Sequence, residues 1–138
     1  MYRVLFVCTE NSNRSQMAEA FARMHAARII AAASAGSAPS GRVNPSAIEA
    51  MQERGYDLST HTSKGLADID AGPFDYVITM GCGDACPSMP ARHREDWRLP
   101  DPRDMPTEAF RTVRDEIERR VVDLVSRLRD GDTQDEVL

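Results

Sequence analysis

No apolar run in these 138 residues is long enough to cross a bilayer. The opening MYRVLFVC carries one Arg, but its apolar stretch is short and lacks a small-residue cleavage site, so it reads as a strand and not as a signal peptide. The expected location is therefore the cytoplasm, where thiols stay reduced. Cysteine is scarce, with only Cys8, Cys82 and Cys86, and in that compartment the three are candidates for chemistry rather than for structural bridges. Positive charge is in deficit: 17 Lys and Arg face 22 Asp and Glu, for a net charge of −5. That balance gives no general support to nucleic-acid binding, and any anion must be held locally, by backbone dipoles and a few cations. Repeats and low-complexity linkers are absent, and the length suits one domain, expected to span 1–130 and to be followed by a flexible polar tail at 131–138. A monomer is expected.

The pattern that remains alternates strands with helices. Val4 to Val7 is a short β-branched apolar run, and Ile29 to Ala35 a second strand. Between them, Ser15 to Ala27 is rich in helix formers, with Met17, Ala18, Phe21, Ala22 and Met24 at helical spacing. Asn44-Pro45 starts a second helix that Gly55 ends. Tyr76 to Met80 reads as a third strand and the region around Trp97 as a short fourth. Phe110 to Leu128 is amphipathic, with Phe110, Val113, Ile117, Val121, Leu124 and Leu128 on one stripe. The alternation predicts a doubly wound α/β domain with a parallel sheet, whose ligand site lies at the carboxyl ends of the strands. Cys8, the segment from Met80 to Cys82, and Asp101 then fall on the same edge.

The segment from Cys8 to Ser15, CTENSNRS, is the most informative. A thiol and a guanidinium flank five residues between a strand and a helix. A loop of that length can wrap a tetrahedral oxyanion with successive N–H groups, assisted by the helix N-terminus. Thr9, Glu10, Asn11, Ser12 and Asn13 form that cradle, and Arg14 offers a planar fork to two oxygens. The same donors stabilise a thiolate at Cys8, to which Ser15 can donate its hydroxyl. Asn11 suits a left-handed turn that braces the loop. The opposing reading, an inert buried cysteine beside a surface arginine, does not account for the strand–loop–helix context.

CTENSNRSQMAEAFAR resembles the active-site loop of low-molecular-weight tyrosine phosphatases and of their relatives, the thioredoxin-coupled arsenate reductases. The similarity continues through Ser34-Ala35-Gly36, NPSAIEAM from Asn44, HTSK from His61, Asp101-Pro102 and VRDEI from Val113, and so covers nearly the whole chain. It implies a flavodoxin-like domain with a four-stranded parallel sheet and flanking helices. It also implies that Cys8 attacks the oxyanion while Asp101, when protonated, helps a hydroxide leave as water. Asp101 before Pro102 is equally a common turn former.

A phosphatase hydrolyses its phosphocysteine, whereas a reductase must pass on two electrons and needs more thiols. Met80-Gly81-Cys82-Gly83-Asp84-Ala85-Cys86-Pro87 supplies a pair within reach of a disulfide if the segment is helical, with glycines that allow it to move. A zinc site lacks further ligands at sensible spacing, and two merely packing cysteines remain the bland alternative. The resemblance implies a relay in which Cys82 attacks Cys8 to release arsenite. Cys86 then attacks Cys82, and thioredoxin reduces the Cys82–Cys86 disulfide. Gln16-Met17 after Arg14-Ser15 fits the reductases, and aromatics, at 6%, offer little to wall a phosphotyrosine. Arsenate is the expected substrate, with phosphate or sulfate competing, and no cofactor or metal is expected. Glu10 puts a negative charge near the anion unless it faces solvent. Lys64 stands where some relatives use an Asp to bind potassium with residues matching Asn11, Glu19 and Ser34; its ammonium can take the cation's place and pair with Glu19, and a solvated surface lysine is the equal alternative. His25, His61 and His93 have no partner that the sequence identifies. Two alternatives stay open: a phosphatase or a reductase resolved by an external small thiol, and a non-catalytic anion-binding or redox-sensing module.

Overall fold

The computed structural model describes residues 1–70, 72–81 and 89–137, with side chains as far as Gly131. Its elements are β1 (Tyr2–Cys8), α1 (Arg14–Ala26), β2 (Ile30–Gly36), α2 (Pro45–Gln52), β3 (Phe74–Thr79), β4 (Ala91–Asp96) and α3 (Thr107–Val137). The four strands form one parallel sheet in the order β2-β1-β3-β4. Among the described residues no helix is long and apolar enough to span a membrane.

β1 lies in the middle, and Val4 to Cys8 are at most 2% exposed. A strand covered on both faces needs apolar residues throughout, which is why it reads as a continuous run rather than an alternation. Its side chains still alternate in space. Val4, Phe6 and Cys8 join a large core with α1, α2 and α3, while Leu5 and Val7 join a smaller one with Ala35, Phe74 and Val77. The α3 stripe is buried as its spacing predicts, from Phe110 to Leu128. Each such Leu, Ile or Phe contributes about 1.5–3 kcal/mol by leaving water. The helix starts three residues ahead of Phe110, and its backbone continues to Val137.

Two expectations shift. The fourth strand is Ala91–Asp96 and ends just before Trp97. It sits at the sheet edge with Arg92, His93 and Arg94 exposed, so it has no apolar signature. Trp97 itself is core, its ring 5.9 Å from that of Phe6. In α1, Met24 is an exposed residue rather than a core one.

The register sets up the site. Cys8 pairs with Gly36, Val7 with Thr79, and Thr79 with Asp96, so the four strands end level. The ladder extends one bond further on each side of β3: Met80 N–H donates to Val7 O, and Trp97 N–H to Thr79 O. The loops that follow each strand therefore converge on one edge.

Candidate active site

Residues 9–13 connect β1 to α1, and their carbonyls are tied down from outside. Ser37 N–H donates to Cys8 O, Ala38 N–H to Thr9 O, Ser40 N–H to Glu10 O and Asn44 N–H to Ser12 O, at 2.8 to 3.1 Å. Because a trans peptide carries its N–H on the edge opposite its carbonyl, fastening these carbonyls outward turns the corresponding N–H edges into the loop. The loop so held leads directly into the N-terminus of α1. The approach is close: a Cβ on Gly36 would lie 2.5 Å from Thr9 O.

Asn11 occupies the left-handed region, at φ 51°, and is fully buried. Its Nδ2 donates to Ser15 Oγ at 2.8 Å and to Ser34 Oγ at 3.0 Å, while its Oδ1 accepts from Lys64 N at 2.9 Å and Gln16 Nε2 at 2.8 Å. Besides accepting from Asn11, Ser15 Oγ lies in hydrogen-bond contact with the Cys8 sulfur, 2.8 Å away. Cys8 is 2% exposed and is reduced. Cys8, Ser15 and Asn11 are thus joined in one chain of bonds. Asn13 Oδ1 is buried without a hydrogen-bond partner among the described residues.

Arg14 closes the loop. Its side chain is 7% exposed, Nη1 donates to Leu99 O at 3.0 Å, and Nη2 lies 3.9 Å from Asp101 Oδ2. Asp101 is about half exposed and also caps its own turn, accepting from Arg103 N at 3.1 Å. The turn-forming reading of Asp101 is therefore represented, and its other carboxylate oxygen faces Arg14. The Glu10 carboxylate meets Arg103, whose Nη1 is 2.7 Å away.

Behind the loop, Glu19 is 3% exposed yet charged by type. Ser34 Oγ donates to its Oε1 at 2.7 Å and Arg23 Nε to its Oε2 at 3.0 Å. Lys64 Nζ stands 3.8 Å from Oε1 and donates to Thr62 O at 3.3 Å. The ammonium thus faces Glu19, while the backbone N–H of the same residue holds Asn11 Oδ1.

The sequence identified no partner for the histidines, and the structure supplies one for each. His25 meets Glu118 at 2.8 Å, His93 packs on Tyr76, and His61 is buried between Tyr56 and Gln16. Burial pushes the His61 imidazole below its ordinary value of 6.5; Glu19 pulls the other way, and Arg23 and Lys64 oppose Glu19. Burial likewise raises the Tyr56 phenol. The sequence did point to Gln16, but not to its bonds with Asn11 O, Asn11 Oδ1 and Thr62 O. Leu99, Gly81 and Arg103 had no sequence signal, since a carbonyl, a close approach and a long-range ion pair leave none.

The structure therefore brings Cys8, Arg14, Ser15, the 9–13 loop and Asp101 to one place. Cys82 and Cys86 lie outside the described residues.

Residues 3–134 match the family "low molecular weight phosphotyrosine protein phosphatase", and the chain belongs to that family. It is 43% identical over 131 residues to the glutaredoxin arsenate reductase of Synechocystis, covering 93% of this chain and 99% of that protein. A solved structure of an arsenate reductase in the phosphate-binding state superposes with a TM-score of 0.83 at 42% identity, covering 93% of this chain and 99% of that one. The thioredoxin-dependent arsenate reductase of Corynebacterium glutamicum superposes at 0.77, with 33% identity over 95% of this chain and 63% of that one.

Proposed function

We propose that the chain is an enzyme reducing arsenate to arsenite, in the cytoplasm and as a monomer. The observation that carries this is the Cys8 sulfur 2.8 Å from the Ser15 hydroxyl oxygen, at the base of the loop between β1 and α1 that also bears the buried Arg14. It occurs in a chain that aligns over nine-tenths of its length with a protein named arsenate reductase. The Cys8 thiolate attacks arsenic and forms a sulfur–arsenic bond, while Asp101 gives a proton to the departing hydroxide, which leaves as water. The Cys82 thiolate then attacks the Cys8 sulfur. The sulfur–arsenic bond breaks and leaves its electron pair on arsenic, so As(V) becomes As(III) and departs as arsenite. Cys86 attacks Cys82 and releases the Cys8 thiolate. The resulting Cys82–Cys86 disulfide takes two electrons from an external dithiol protein. Relatives are named for glutaredoxin and for thioredoxin; thioredoxin is the reductant we assign, and phosphate or sulfate would compete for the loop.

The test combines steady-state turnover with thioredoxin, thioredoxin reductase and NADPH, set against a glutaredoxin system, with disulfide mapping after one equivalent of arsenate. Cys8→Ser should be inert, because an alcohol is not ionised near neutral pH. Cys82→Ser should trap arsenic on Cys8, and Cys86→Ser should accumulate a Cys8–Cys82 disulfide. Normal arsenate turnover by both of the latter variants would remove the relay. A phosphatase needs only Cys8, Arg14 and Asp101; phosphate-ester hydrolysis that survives in both variants, with no arsenate turnover in the parent, selects that reading.

A further inference from the structure

Within the segment Cys8–Ser15, Glu10 is the sole acidic side chain. A bare carboxylate two residues from the nucleophile would oppose every anion entering the loop. The structure places it against Arg103, Nη1 to Oε1 at 2.7 Å. Arg103 is in turn tied to the site's other carboxylate: its backbone N–H donates to Asp101 Oδ1 at 3.1 Å, and Asp101 Oδ2 stands 3.9 Å from Arg14 Nη2. Glu10, Arg103, Asp101 and Arg14 thus alternate in sign around the loop. Among the described residues, the Arg103 guanidinium also meets Asp104, 3.8 Å from Nε and 90% exposed.

We infer that Arg103 is a specificity-determining residue of the oxyanion site: paired with Glu10, it cancels the loop's own carboxylate and so sets the affinity for doubly charged oxyanions. The inference rests on the reading of the Cys8 loop as an oxyanion site. The pair is half-exposed, and as a stabilising ion pair it is worth little. Its consequence lies in the charge left behind when one partner is removed. A single uncompensated charge within about 8 Å of a dianion changes binding on the order of tenfold at low ionic strength, and far less once salt shortens the screening length.

The test uses inorganic phosphate at pH 8, where it is a dianion, as the probe. Its dissociation constant is read from the concentration that protects Cys8 from iodoacetamide, so the measurement does not depend on arsenate reduction. Expected in dilute buffer are binding roughly tenfold weaker for Arg103→Ala, severalfold tighter for Glu10→Gln, and within about threefold of the parent for the double variant. Arg103→Lys should stay near the parent. All differences should shrink in about 0.5 M sodium chloride. A double variant as weak as Arg103→Ala, or single variants within twofold of the parent, overturns the inference while leaving the oxyanion site intact. Failure of phosphate to protect the parent protein at all removes both.

Discussion

His61 Nδ1 lies 2.9 Å from Gln16 Oε1, and this contact fixes the tautomer of one residue and the amide orientation of the other. An amide oxygen cannot donate, so Nδ1 carries the proton and Nε2 is left to accept from the Tyr56 hydroxyl at 2.6 Å. The Gln16 nitrogen then faces three acceptors, Asn11 O, Asn11 Oδ1 and Thr62 O. From Asn11 the bonds continue to Ser15 and the Cys8 sulfur. The His61 imidazole therefore stands at the far end of the chain of hydrogen bonds that reaches Cys8.

Protonating His61 puts a hydrogen on Nε2 facing the Tyr56 hydroxyl, which must turn to accept it. Since burial holds the folded-state value below the unfolded 6.5, the unfolded chain binds this proton first. The His61 contribution is accordingly complete above about pH 6.5 and is lost as the pH falls through the lower folded-state value. Urea denaturation from pH 8 down to 5 should show stability declining in that window, with His61→Gln showing a flatter profile. Identical slopes for the two proteins would mean that another group dominates.

Gly36 is where β2 passes under the loop. A Cβ there meets Thr9 O at 2.5 Å and Asn11 N at 3.0 Å, both backbone atoms that cannot swing aside. Gly36→Ala should cost about 1–3 kcal/mol in denaturant unfolding and abolish phosphate protection of Cys8, because the loop must shift. Gly41→Ala makes a sharp control. At φ +80° and with nothing within 4 Å, it should cost only its backbone strain, about 1 kcal/mol, and leave phosphate binding unchanged.

The sequence was legible where chemistry and local geometry coincide. CTENSNRS announced the loop because a thiol, a left-handed Asn and an Arg at a helix start each carry a local signal. The α3 stripe was legible because burial enforces its period. β4 was not, since an edge strand written ARHRED buries little and resembles a charged loop. His61 was missed because its partners are 5 and 45 positions away, and nothing in HTSK marks burial. Glu10 was legible as a problem and Arg103 illegible as its answer, 93 residues later.

Lys64 Nζ stands 3.8 Å from Glu19 Oε1, an oxygen that also accepts from Ser34 Oγ, and the Lys64 backbone N–H donates to Asn11 Oδ1. Adding potassium should therefore change the melting temperature and activity no more than matched sodium does. A saturable, potassium-specific rise in melting temperature would reveal a cation site that coexists with the lysine. Lys64→Met should lose no more than about 1 kcal/mol, because the pair is partly exposed and Glu19 keeps Ser34 and Arg23.

Gly81 forms the wall against which Arg14 is set. It is the last described residue before Cys82 and holds φ +78°, a conformation that disfavours any side chain. A Cβ there would fall 2.4 Å from Arg14 Nη1 and 3.1 Å from Leu99 O, the two atoms joined by the bond that fixes the guanidinium. Gly81→Ala should therefore move Arg14 and break its two-point grip on an oxyanion. The expected loss in kcat/KM is about 10²–10³-fold, the usual scale for removing one preorganised oxyanion donor. Arg14→Lys should lose comparably, because a point charge cannot reproduce the fork. The decisive measurement is the double variant, with both kcat/KM and phosphate protection of Cys8 as readouts. If Gly81 acts through Arg14, then Gly81→Ala combined with Arg14→Ala should be no worse than Arg14→Ala alone, since residues acting as one unit are not additive. Losses that multiply instead would place the effect of Gly81 elsewhere, on the chain that leads into Cys82.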